Sequence, residues 1–415
     1  MGTRAAAPGL QAQGSTMKRR SPKPLREEAD GTIMQRLSVP FEYPVCFTHE
    51  VFDPDNPALA DTVDRLGEKR RHRAVVFLDA GLSDAQPGLP ERLAAYFEAH
   101  RDRLDLVSPP EMLPGGEAAK TGWEPVRRVM SRIGDLHLCR QSFVLAVGGG
   151  CVLDMVGFAA SIVHRGLRLV RLPSTTLSQG DGGVGVKNGM DEHGMKNFVG
   201  TFAPPFAVIN DLAMLGTLAQ KDWVAGVAEA FKVAIIKDAE FFEFLSKGAA
   251  ALAGRDAPAM ERTVRRTARL HLEHIRAGGD PFEFGSARPL DFGHWSAHRL
   301  ESMSGYALGH GQAVAVGIAL DSYCAMRRKL ITAAELERIL SGLLAAGLPV
   351  WDEFLARRDA AGRLEVLRGL EDFREHLGGT LTVTLPQGIG GKVEVHEMDA
   401  GAVEAGVEYL KKRSG

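Results

Sequence analysis

The stretch RPLDFGHWSAH, residues 288–298, sets two histidines four residues apart, His294 and His298, just after Asp291. A third, His310, opens the run HGQAVAVGIAL twelve residues further on. Imidazole and carboxylate are donors that hold zinc and related divalent ions, and two histidines with one glutamate leave a coordination position open for water or substrate. A carboxylate candidate is Glu229 in GVAEAFKVAIIKD, three residues before Lys232 and so on the same helical face. That helix is otherwise apolar, with Val224, Val227, Ala228, Phe231, Val233, Ile235 and Ile236. A carboxylate there is costly to bury unless it is paired or bound to metal. Read alone, Glu229 and Lys232 fit an i,i+3 salt bridge on a helix surface better than a site. A His-x3-His pair also arises on many helices by chance, so spacing does not decide which histidines bind metal.

Two further stretches suit phosphate. In SFVLAVGGGCVLDMVGFAA an apolar strand runs into Gly148, Gly149 and Gly150 and then into a helix. Glycines let the backbone approach a ligand closely, and a helix N-terminus offers unpaired N–H groups to an anion. The same glycines also suit a tight strand–helix turn, and the spacing is not GxGxxG. In PSTTLSQGDGGVGVKNGMDEHGMKNFVG the pattern predicts a hairpin, along which Lys187, Lys196 and Asn197 fall within eleven residues. Lysine is a compact cation for phosphate, and asparagine can orient hydroxyls.

The elements that must position these residues are legible in the apolar runs. RAVVFLD (73–79), SFVLAVGGG (142–150), LRLVRLP (167–173) and FAVIND (206–211) read as buried strands separated by helical patterns, as in βαβ units. Residues 217–275, 294–330 and 333–348 show helical spacing, interrupted afterwards by LTVTLP (381–386). The expectation is a disordered tail over 1–36, an α/β domain over 37–212 and a mainly helical domain over 213–415, with a cleft between them. Met17 and Met34 are alternative starts. The 415 residues carry a formal charge of −2, which argues neither for nor against nucleic acid or an anionic membrane. Cys46, Cys139, Cys151 and Cys324 form no CxxC pair, which fits a reducing, cytoplasmic setting. No apolar run reaches the ~18 residues a membrane helix needs.

Taken in order, PGGEAAK, GGGCVLD, PSTTLSQGDGGVGVK, KNFVGTF, AEAFK, LDFGHWSAH and HGQAVA resemble the dehydroquinate synthase-like sugar phosphate cyclases. The resemblance implies an N-terminal α/β domain binding NAD and a helical C-terminal domain holding one divalent metal, zinc or cobalt. It implies Glu229, His294 and His310 as metal ligands. Asp79, Glu117, Lys120, Gly148, Gly149, Gly150, Asp154, Ser174, Thr175 and Lys196 would serve the cofactor. Lys187, Lys232, Glu283, Asp291, His298, Asn197, Arg165 and Asp181 would face the substrate. The chemistry implied is hydride removal by NAD, elimination of phosphate, hydride return and ring closure by aldol addition. The implied partners are a sugar phosphate and a second copy of the chain, with no nucleic acid and no membrane.

The substrate is where the pattern departs from authentic dehydroquinate synthases. Those resemble one another in R-x-x-L-N-F-G-H and in a lysine upstream, both suited to a substrate carboxylate. Here Asp291 stands at the asparagine, Ala287 lies four before it, and Arg288 is displaced by one. No lysine occurs between Lys247 and Lys329, and FREHLGG replaces the family's Asp-Lys-Lys stretch. An aspartate repels a carboxylate. The pattern is similar to the 2-epi-5-epi-valiolone synthase group, which uses sedoheptulose 7-phosphate, and closer still to cyclases of Ebo-type clusters. The expected substrate is a neutral polyhydroxy sugar phosphate. A true 3-dehydroquinate synthase and a metal-dependent polyol dehydrogenase are the alternatives.

Overall fold

The computed structural model describes residues 26–27, 30–35, 39–193, 195–277, 289–376 and 379–414. Most of the expected tail, and the segment 278–288, lie outside the described residues. Within 1–36, Arg26–Glu27 pairs antiparallel with Ile33–Met34.

The first half is built on a parallel sheet of seven strands. Its strands include β1 (Val45–Thr48), β2 (His72–Asp79), β3 (Leu104–Leu106), β4 (Glu111–Leu113), β5 (Phe143–Gly148) and β6 (Arg168–Pro173). A separate antiparallel hairpin follows, β7 (Lys187–Glu192) and β8 (Met195–Phe202), before the last sheet strand β9 (Ala207–Asp211). The spatial order is β1–β9–β6–β5–β2–β3, with β4 pairing the second half of β2. Every residue of β5 is buried, as expected of a parallel strand covered on both faces. Helices α1 (Leu89–Ala99), α2 (Trp123–Asp135) and α3 (Gly150–Ile162) follow strands of this sheet, and two apolar clusters fill its two faces. The short helix α4 (Thr176–Gly180) follows β6.

After β4 the chain crosses to the other side of β2 and continues as β5, so the winding reverses between β2 and β5. At such a switch point the carboxyl ends of the strands leave a crevice for a ligand. Asp79 ends β2 and Gly148 ends β5.

The second half is helical: α5 (Gln220–Lys237), α6 (Ala239–Ala253), α7 (Ala257–Arg276), α8 (His294–Met303), α9 (His310–Arg327) and α10 (Ala333–Ala345). Trp223 through Ile236 of α5 are all buried, and so are Ala313 through Ala325 of α9. A helix buried on all sides belongs in a core, and these two form its centre, with Phe231 and Ile318 packed there beside Trp295. LTVTLP supplies β10 (Val383–Pro386), which pairs with β11 (Lys392–Val395). The strands β1, β3, β4 and β11 are three or four residues long and are not singled out in the sequence. The α/β half followed by a helical half is the expected fold class.

Candidate active site

At the sheet's switch point Asp79 caps the helix that follows β2, accepting from Gly81 N at 2.9 Å, and approaches Gly149 N at 3.5 Å. A Cβ on Gly148 would lie 2.8 Å from Asp79 Cβ, so glycine is required there by the fold itself. Gly150 has open space where a side chain would stand, and a Cβ on Gly149 would make ordinary contact with Thr175 at 3.5 Å. Ser174 is buried and donates its N–H to Gly148 O at 2.9 Å, while Thr175 caps α4 through Ser178. The glycine turn, Asp79, Ser174 and Thr175 therefore converge on one crevice at the N-terminus of α3.

Beside it lies a charged network. Lys120 is buried, with Nζ donating to Asn197 Oδ1 at 2.6 Å and to Asp154 at 3.2 Å. Burial alone would depress this ammonium, but Asp154, Glu117 and Asp191 around it hold it above the usual lysine range. Asn197 sits at φ 54°, its N–H donating to Asp191 at 2.7 Å. Lys196 reaches Glu117 at 3.1 Å and, on the helical side, Glu301 of α8 at 2.6 Å.

The second cluster lies where α5, α8 and α9 meet. Glu229 is 1% exposed; its Oε1 accepts no hydrogen bond and stands 3.6 Å from both His294 Nε2 and His310 Nε2. The three donor atoms lie within 4.8 Å of one another. Two ligands at about 2.0–2.2 Å from a tetrahedral ion are about 3.3–3.6 Å apart, so a zinc-sized ion fits between them. His294 Nδ1 lies 3.1 Å from Phe292 O, and His310 Nδ1 lies 3.1 Å from Glu301 Oε2. Each ring thus has its outer nitrogen engaged, which turns Nε2 toward Glu229. Burial, with the neighbouring Lys232, holds His294 well below the usual histidine range, so its ring is a neutral donor. Burial works against charge on His310 too, but Glu301 and Glu229 overcome it and hold His310 up to about 9. A divalent ion held by the set would displace the His310 proton, since a ligating imidazole must be neutral.

Lys232 joins this cluster to the rest of the site. Buried on α5, it ion-pairs with Glu229 and lies 3.7 Å from Asp181. Burial alone would lower it, yet Glu229, Asp181 and Asp291 raise it. The expectation of a surface salt bridge is therefore corrected: both partners are buried, because the surrounding face of α5 is core. Asp181 is further held by His271 at 3.0 Å; burial would raise its carboxyl, but His271 and Lys232 bring it well below the usual range. His298 is exposed, its ring 5.3 Å from His294 and 6.2 Å from His310 between centroids. Lys187 is exposed at the start of β7, and its carbonyl accepts from Arg171 at 2.8 Å.

One expected residue is placed away from this cluster. Arg165 is exposed beyond the C-terminal end of α3, about 20 Å along that helix from the glycine turn at 1.5 Å per residue. Glu283 lies outside the described residues. The structure adds Glu301, His271 and Asp191, which the motifs do not single out. Glu301 alone leaves a signal, seven residues after His294 and so two turns along the same face of α8.

Residues 111–225 match the 3-dehydroquinate synthase N-terminal model and residues 226–366 the 3-dehydroquinate synthase C-terminal model. The chain is 35% identical over 360 residues to a 2-epi-5-epi-valiolone synthase of Streptomyces glaucescens, covering 86% of this chain and 88% of that protein. It is also 35% identical over 302 residues to a 3-dehydroquinate synthase of Cereibacter sphaeroides, covering 71% and 79%. Among solved structures, a 2-epi-5-epi-valiolone synthase of Streptomyces hygroscopicus with NAD+ and Zn2+ bound superposes with a TM-score of 0.79 at 31% identity, over 91% of this chain and all of that one. With fold and matches in agreement, the chain belongs to the 3-dehydroquinate synthase-like family of sugar phosphate cyclases, which are phosphate-eliminating lyases.

Proposed function

We propose that the protein is an NAD- and divalent-metal-dependent cyclase acting on a neutral-headed sugar phosphate, sedoheptulose 7-phosphate or a close relative. The observation that carries this reading is Asp291, close enough to Lys232 to raise its pKa, where a carboxylate-binding cyclase would have a neutral amide. An unpaired substrate carboxylate beside it would cost several kcal/mol of desolvation. Aspartate instead accepts hydrogen bonds from sugar hydroxyls. The match to a valiolone synthase over 86% of the chain supports the same substrate class.

Glu229, His294 and His310 would hold the metal, zinc or cobalt, and the crevice between Asp79, Gly148–Gly150 and Thr175 would hold NAD. When bound, the metal supplies Lewis acidity and NAD a reversible hydride acceptor. The protein's own residues do the rest. Lys232 and Lys187 supply positive charge for a leaving phosphate, and Asp181, kept ionised by His271 and Lys232, accepts from substrate hydroxyls. His298, exposed beside the metal ligands, exchanges protons with the substrate. Asn197 orients hydroxyls next to the cofactor crevice.

We further propose a cytoplasmic homodimer. Met195, Phe198 and Phe202 of β8 and Ile162 at the end of α3 are exposed large apolar side chains, which a second copy of the chain would cover. The cysteines are free, which suits a reducing compartment. Among the described residues no helix is long and apolar enough to cross a membrane.

The test is phosphate release by the purified protein with NAD+, zinc or cobalt and a panel of sugar phosphates. Release from sedoheptulose 7-phosphate without net NADH supports the reading. Release from the carboxylated heptulosonate phosphate instead would make the protein a 3-dehydroquinate synthase, the second reading, which the Cereibacter sphaeroides match favours. Accumulation of NADH in step with turnover would make it a polyol dehydrogenase.

A further inference from the structure

Helix α9 opens with His310 and carries Asp321 eleven residues later, about three turns along the same face. Asp321 is fully buried. Its Oδ2 accepts from Gly293 N at 3.0 Å and its Oδ1 from the Trp295 indole Nε1 at 2.7 Å. These donors belong to the residues immediately before and after His294.

The packing around them leaves no slack. Gly293 has φ +79°, and a Cβ there would lie 2.8 Å from Ile318 N. A Cβ on Gly317 would lie 2.0 Å from Gly293 O, so the start of α8 rests directly on the backbone of α9. Trp295, 1% exposed, fills the core on the other side. Burying a carboxylate costs free energy unless its oxygens are satisfied, and here both acceptors are engaged by the start of α8. Burial pushes the Asp321 carboxyl up to about 7, with the Trp295 and Gly293 donors working against the rise. A well-packed apolar residue would avoid that cost. A carboxylate is useful here only for what it holds.

We propose that Asp321 is a positioning residue for the metal site, fixing His294 by gripping the two residues that flank it. Helix α9 then supplies one histidine ligand directly and orients the other from three turns away. The proposal rests on the reading that Glu229, His294 and His310 hold a divalent ion.

The experiment measures zinc affinity by chelator competition at pH 8 for wild type, Asp321→Asn and Trp295→Phe. It also records the visible spectrum of each protein loaded with cobalt. Asparagine offers one acceptor and turns an amide N–H toward the second donor; phenylalanine removes one donor and keeps most of the bulk. Direct partners of metal-bound histidines are typically worth about 10–100-fold in affinity; Asp321 acts through the neighbours of His294, so Asp321→Asn is expected to lose about 10-fold and Trp295→Phe less. Both cobalt spectra are expected to shift, while NAD affinity and circular dichroism stay as in wild type. Folded variants that bind zinc as wild type does, with unchanged cobalt spectra, overturn the proposal. If Asp321→Asn does not fold, Trp295→Phe decides by the same two readings. A wild-type protein that binds no zinc overturns the metal reading and this proposal together, whereas normal wild-type binding with unaffected variants overturns this proposal alone.

Discussion

Lys196 donates a hydrogen bond to Glu301 across 2.6 Å, tying the β7–β8 hairpin of the α/β half to helix α8 of the helical half. The other oxygen of Glu301 faces His310 Nδ1 at 3.1 Å. One buried carboxylate thus links the charged network beside the proposed cofactor crevice to a proposed metal ligand. Glu301→Gln keeps the shape and removes the charge. It should weaken zinc binding by about 10-fold or more, because the outer partner of a metal-bound histidine sets its orientation and basicity. Chelator competition checks this.

The three neighbouring histidines should separate cleanly. His310→Ala removes a ligand from the Glu229–His294–His310 set and should lose most bound metal, and with it phosphate release, while the protein stays folded. His298→Ala should keep its metal and lose turnover by about 100-fold or more, the usual worth of a positioned acid–base group. Metal analysis of both variants, beside their rates, tests the split. Equal metal loss in both would show that the ligands are wrongly divided.

Much of this arrangement is legible in the amino-acid sequence. The apolar runs ending at Asp79, Gly148, Pro173 and Asp211 are the buried strands β2, β5, β6 and β9, and the glycine-rich stretch with Lys187 and Lys196 is a hairpin. Motif order points to Glu229, His294 and His310, which the fold brings together. Pairings across elements with no fixed spacing stay hidden: His271 of α7 on Asp181, Asp191 of β7 against Asn197, and Asp321 of α9 around His294. Such contacts depend on which helix faces which, and a periodic pattern records only that a face is apolar. The Glu229–Lys232 pair shows the same limit, since the spacing fits a surface bridge and only packing reveals that both are buried.

The glycines before α3 divide between fold and ligand. At Gly148 an added methyl would meet Asp79 Cβ at 2.8 Å, so Gly148→Ala should cost about 1–3 kcal/mol of stability through overpacking. At Gly149 a Cβ makes only ordinary contact with Thr175, so Gly149→Val should fold and fail to bind NAD. Thermal unfolding paired with NAD titration distinguishes the two.

Asp321 gives a pH signature. Burial raises its folded-state pKa from 3.8 to about 7, so between those values the folded state holds a proton that the unfolded chain gives up. Its contribution to stability is therefore full at low pH and falls as pH rises through about 7. Asp321→Asn carries no such titration. The stability of wild type relative to that variant should drop by on the order of 2 kcal/mol between pH 5 and pH 8, at 1.36 kcal/mol per pKa unit. Urea unfolding at the two pH values measures it, and a constant difference would contradict the assignment.

Asp291 tests the substrate reading directly. If it accepts hydrogen bonds from sugar hydroxyls, Asp291→Asn should lower the rate on the neutral sugar phosphate, since a charged acceptor binds roughly twice as strongly as a neutral one. An unchanged rate would mean that Asp291 does not touch the substrate.

We propose that this site eliminates phosphate from a neutral-headed sugar phosphate. The most direct test is the rate of phosphate release from sedoheptulose 7-phosphate and from the carboxylated heptulosonate phosphate, side by side, with NAD+ and zinc or cobalt present. The expected result is release from the heptulose phosphate, none or little from the heptulosonate, and no net NADH. Efficient release from the heptulosonate, or complementation of a strain lacking dehydroquinate synthase, would contradict it.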